Sequence, residues 1–183
     1  NSTIIASPGV GNNTAIELKS GEFDIDINGS FAAFFTSGEM AFNGDLVGQL
    51  GDASRRFTNL FTRHIVGGQS AVPGIAAGTG AGTSPTVSMQ AGSTDMAGVI
   101  NVTTGTSPGS PSATLATITF NTAFAAAPIV VLTPANNNAA GLGTTSQIYV
   151  DYASTTTAVF VLKGGTVALT AATAYKWHYH VIG

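Results

Sequence analysis

The sequence contains no cysteine, so no disulfide staples the fold. Charge is nearly as scarce: 8% of the 183 residues are charged, against roughly 25% in an ordinary soluble domain. A single-copy particle so short of charge is a poor colloid, whereas a subunit that covers much of its surface with copies of itself is not. Six Lys plus Arg against nine Asp plus Glu give a net charge of −3, which leaves no basic face for nucleic acid. No apolar run approaches the roughly 18 residues of a membrane span, so no membrane insertion is expected. There is no signal-peptide pattern, and a chain that starts at Asn1 reads as part of something longer. Long Leu/Glu/Lys/Arg stretches are missing too. What is abundant is glycine, 23 residues, together with Thr, Ser and Ala, the composition of β-strands and turns.

The fold class read from this is all-β. Leu115 to Thr133 is expected to supply the central pair of strands of a sandwich. In its first limb Leu115, Ile118 and Phe120 are interleaved with Thr114, Thr117 and Thr119, a half-buried strand pattern. Its second limb, Ile129 to Leu132, is a continuous apolar run between Pro128 and Pro134, which predicts a strand covered on both faces. Phe124 between them is expected to plug the end of the core. Four segments follow from composition. Residues 1–48 carry short glycine-bounded strands around Phe23, Ile25, Ile27, Phe31, Phe34 and Phe42. Such strands are too short to enclose a core alone, and intertwined with copies they form a β shaft whose acids, Glu17, Glu22, Asp24, Asp26, Glu39 and Asp45, face water. Residues 49–66 hold a short helix, with Asp52 as N-cap and Phe57, Leu60 and Phe61 on one face, and then a strand. Residues 67–85 are a Gly/Ala-rich linker. Residues 86–183 read as a C-terminal antiparallel β-sandwich head, ending in a strand where Tyr175, Trp177, Tyr179 and Val181 face one way and Lys176, His178, His180 and Ile182 the other.

Two segments resemble parts of known viral proteins. Leu50-Gly51-Asp52-Ala53-Ser54-Arg55-Arg56-Phe57-Thr58-Asn59-Leu60-Phe61 is similar to a hook that recurs in bacteriophage tail-fibre and receptor-binding proteins, where it caps or redirects a trimeric shaft. The stretches Ala91 to Gly98, Thr119 to Pro128 and Tyr175 to Gly183 resemble a C-terminal module at the ends of phage tail and fibre proteins. The spacing Phe120, Phe124, Pro128, Val130 also looks like the H-type lectin domain, a small trimeric sugar-binding β-sandwich. The resemblance implies a homotrimer at the distal end of a fibre, joined to the rest of the fibre or tail at its N-terminal side. It places the protein at the fibre tip of an extracellular virion that attaches to a host cell-surface glycan or another outer-surface receptor. A purely structural segment that trimerises a fibre or decorates a capsid stays open beside it, as does a glycan depolymerase.

The candidate site residues each carry two readings. His178 and His180 lie at i and i+2 on one strand face; on a threefold axis three copies offer six imidazoles, a cage suited to iron or a similar divalent metal, and otherwise they are ordinary surface or subunit contact. No other cofactor is expected. Trp177 and Tyr179 make a sugar-stacking platform or belong to the core. Asn136, Asn137 and Asn138 offer amides to a hydroxyl-rich ligand, with Asp151 and Tyr152 joining from a strand end, or they form a solvated turn. The run Gly78 to Thr83 lacks the Lys-Ser/Thr of a phosphate loop. No segment sets a nucleophile beside a base, so no catalysis is expected.

Overall fold

The computed structural model describes residues 61, 67–109 and 111–183, and before them the backbone of five strands. It divides into two compact units, Asn1–Arg63 and His64–Gly183. The described parts are β-strands in antiparallel sheets with almost no helix, as the composition requires.

In the first unit, β1 (Thr3–Ile4), β2 (Ala15–Lys19), β3 (Glu22–Ile27), β4 (Ser30–Thr36) and β5 (Met40–Phe42) pair in chain order. Phe23 stands opposite Leu18 and Phe35, and the β3–β4 register shifts between Ile25 and Asp26. The strands expected to need neighbouring copies thus pair with one another. Which of their side chains face inward lies outside the described residues, as do the Asp24 and Asp26 carboxylates and the 49–66 hook apart from an exposed Phe61.

The second unit holds β6 (Gly74–Ala77), β7 (Thr86–Met89), β8 (Ala97–Thr103), β9 (Thr114–Thr119), β10 (Ile129–Pro134), β11 (Tyr149–Val150), β12 (Val159–Lys163) and β13 (Ala174–Ile182). They form two four-stranded sheets, ordered β10-β13-β8-β7 and β11-β12-β9-β6. Ile100 and Val102 of β8, together with Tyr175, Trp177, Tyr179 and Val181 of β13, share one buried core with Leu115 and Ile118 of β9 and Phe160 and Leu162 of β12. Each large side chain removed from water here contributes roughly 1.5–3 kcal/mol. Aromatic rings tie the sheets together: Phe160 lies 5.5 Å from Tyr179 and 5.6 Å from Phe120. Phe124 meets Phe120 edge-on at 4.8 Å, closing the end of the core as its position between the strands predicted.

Two expectations are corrected. The Gly/Ala stretch 67–85 is not a bare linker, because Gly74 to Ala77 pair with Thr119 to Ala116 as β6 and a 3-10 turn follows at Thr79–Ala81. Small residues are what permit this: a Cβ on Gly78 would stand 2.2 Å from the Thr114 carbonyl oxygen, and Ala81 is fully buried. The apolar run in β10 is not covered on both faces and is not paired with β9. It is the edge of the other sheet, and Ile129 and Val131 are 60% and 49% exposed. A run of four apolar residues does not by itself distinguish a buried strand from one whose outer face awaits a cover.

Candidate functional site

β13 sorts four of the predicted residues by strict alternation, since neighbouring side chains on a strand point to opposite faces. Trp177 and Tyr179 point inward and are 2% and 3% exposed. Trp177 stacks on Tyr175 with ring centroids 5.8 Å apart, and the Tyr179 hydroxyl donates to the Thr94 carbonyl. A sugar platform needs an open ring face, so this corrects the platform reading: both are core residues. Burial, and after it the Asp95 carboxylate, hold the Tyr179 phenol well above its ordinary pKa.

His178 and His180 point outward, across from Thr133 and Val131 on β10 and from Val99 and Ala97 on β8. With Ile129, Val131 and Ile182 they lie on an exposed sheet face that also carries Thr133 and Lys176. Two imidazoles on one chain do not complete a coordination set. Among the described residues no group of three or more His, Cys, Asp or Glu converges to hold a metal.

Asn136, Asn137 and Asn138 are brought together around the start of a short helix, α1 (Asn137–Ala140). Asn136 caps it: its Oδ1 accepts from Ala139 N at 3.0 Å and from Lys176 N at 3.1 Å, and its Nδ2 donates to Ala174 O at 3.0 Å. Asn138 Nδ2 donates to the same carbonyl at 2.8 Å. Two of the three amides thus fasten the turn to β13, and the trio borders only a shallow depression of about 400 Å³.

Asp151 and Tyr152 lie elsewhere, at the end of β11. Lys163 Nζ approaches Asp151 Oδ2 at 2.6 Å, and Ser154 Oγ donates to the same oxygen. These two contacts hold the Asp151 carboxyl below its ordinary pKa, and the same bond to Asp151 raises that of Lys163. Tyr152 is exposed at the surface beside them.

One feature of the surface was not anticipated. A cleft of about 640 Å³ opens where the edge of β10 passes β11, with Val130, Leu132, Ile148 and Val150 at its apolar side and Gln147 and Tyr149 beside them. Gln147 and Tyr149 stand at i and i+2, both exposed on either side of buried Ile148. Thr145 lies just ahead of them in the chain, whereas Thr166 comes from a distant loop that no local pattern joins to them.

Compared with protein-family models, curated proteins and solved structures, the chain matches none.

Proposed function

We propose that this chain is the distal part of a bacteriophage tail fibre or receptor-binding protein, a homotrimer that attaches the virion to a bacterial surface glycan. In this reading residues 1–48 belong to a trimeric β shaft and the second unit is a β-sandwich head. The observation that carries it is the outer face of the β10-β13-β8-β7 sheet. Ile129, Val131 and Ile182 are about half exposed or more, and no acidic residue interrupts them. A sheet face of that kind on a chain with 8% charge suits a cover of further copies better than water.

The resemblance of the hook and of the Phe120, Phe124, Pro128, Val130 spacing supports a fibre, and three weak sites acting together supply firm attachment by avidity. A divalent metal between His178 and His180 of three copies belongs to this proposal only if the strands converge on the axis. Native mass measurement of the full chain, followed by binding to host cells and to isolated surface polysaccharide, tests the proposal. A trimer with saturable binding supports it. A folded trimer that binds nothing favours the structural segment, shortened polysaccharide chains favour the depolymerase, and a monomer removes the basis of the assembly.

A further inference from the structure

Two sheet edges border the cleft, and both turn backbone groups into it. On β10, Ala135 N donates to Lys176 O at 2.8 Å, so the alternate residues Thr133, Val131 and Ile129 bond to β13. The N–H and C=O groups of Val130 and Leu132 therefore point away from the sheet. On β11, Asp151 N donates to Val161 O at 2.8 Å, which turns the groups of Val150 outward by the same alternation. All three residues line the cleft.

The facing wall is fixed by the fold. Thr145 O accepts from Val167 N at 2.9 Å, and Gly165 O accepts from Ser112 N at 2.9 Å. Gly165 packs so closely that a Cβ there would stand 2.2 Å from Thr145 O. Thr145 and Thr166 are thus positioned before any ligand arrives, which lowers the ordering cost of binding.

Among the described residues, no ionisable acid or base lines this cleft apart from the Tyr149 phenol. Lys163, opposite Tyr149 in the ladder, is engaged by Asp151. A charged ligand would surrender its hydration here without gaining a counter-charge. An added peptide strand needs a longer ladder than is offered, because Pro134 has no N–H and β11 is two residues long. What the cleft does present is hydroxyls, the Gln147 amide, free backbone groups and the Tyr149 ring, which is 43% exposed. Those groups suit a pyranose, whose hydroxyls both donate and accept and whose C–H face lies against an aromatic ring.

We infer that the cleft between β10 and β11 binds a neutral oligosaccharide, with Tyr149 as the stacking surface and Gln147 as a hydrogen-bonding side chain; this rests on the attachment reading above. The test is an array of neutral glucan, galactan and N-acetylhexosamine oligomers beside sialylated and sulfated ones. It is probed with the full chain and with Tyr149→Ala, Tyr149→Phe and Gln147→Ala, each shown to be folded by Trp177 fluorescence. Binding confined to neutral oligomers is expected, with Tyr149→Ala weaker by about tenfold or more, Gln147→Ala weakened and Tyr149→Phe largely retained. Undiminished binding by Tyr149→Ala overturns the cleft and leaves attachment standing. Binding confined to the anionic oligomers overturns the neutral class, and no glycan bound by the folded parent overturns cleft and attachment together.

Discussion

The Asp95 carboxylate holds the chain at Asn121: its Oδ1 accepts from the Asn121 backbone N–H at 2.9 Å across 26 residues of sequence. Its other oxygen accepts from Thr122 N at 3.0 Å and from Gln69 Nε2 at 2.6 Å. One buried acid thus fastens the segment leading into β6 to the turn that follows β9. Asp95→Ala removes the acceptor of three part-buried hydrogen bonds, and the expected loss is about 1–3 kcal/mol in all. The single tryptophan lies in the core of the second unit, so urea melts followed by Trp177 fluorescence read the change in that unit directly. A loss below about 0.5 kcal/mol, the usual scale of an incidental surface change, would contradict this account.

Tyr179 predicts an alkaline limb. Its folded-state pKa is raised, chiefly by burial and then by Asp95. The folded chain therefore keeps the phenol protonated while the unfolded chain begins to release the proton near pH 10. The associated stability is complete below that pH and is lost as pH rises toward the folded-state value. Melts of the parent between pH 8 and pH 11 are expected to show stability falling above about pH 10. Tyr179→Phe should start lower, having lost the bond to Thr94, and fall less steeply.

At Asp151 the sign is opposite. Its lowered folded-state pKa means that its contribution is present above the unfolded value near 3.9 and is lost as pH falls through the folded one. The ion pair lies at the surface, partly exposed on both sides, so the effect on stability is small and the titration itself is the better readout. Carbon-detected NMR should place the Asp151 midpoint below the ordinary carboxylate range in the parent. In Lys163→Ala it should rise most of the way back, with Ser154 still donating. An Asp151 midpoint unmoved by that substitution would assign the shift to something other than the ion pair.

The outer face of β10 and β13 predicts an assembly phenotype separate from folding. Val131, about half exposed opposite His180, packs against nothing in its own sheet's core. In the proposed homotrimer, Val131→Asp should leave the Trp177 signal of the folded unit intact while shifting native mass from trimer to monomer, because the new carboxylate would have to give up its hydration at the subunit contact. A trimer that survives this substitution unchanged would locate the subunit contact on another surface.

Where the sequence was legible, one periodicity decided the matter. Tyr175, Trp177, Tyr179 and Val181 are buried and the residues between them are exposed, as a two-residue alternation demands. The aromatic plug at Phe124 was equally readable, because a large apolar residue between two strands has few other places to go. The Ile129 to Leu132 run misled because hydrophobicity records what a face wants and not what covers it. β6 escaped notice because its Gly-Ile-Ala-Ala sequence has no alternation and a single β-branched residue, Ile75; only its pairing with β9 reveals it. The cleft escaped for a different reason. Ser112, Thr145, Tyr149 and Thr166 come from one strand and three loops, and four residues scattered over 55 positions leave no local signal.

The recruitment of Gly74–Ala77 into the sheet has a practical corollary for anyone trimming this molecule. A truncated version beginning at residue 86 would strip β9 of its outer neighbour and lay open the hydrogen-bonding row of Ala116 to Thr119. Such a seam invites stray strands, so the shortened piece should clump during expression, whereas one starting at residue 64 keeps its own hem sewn.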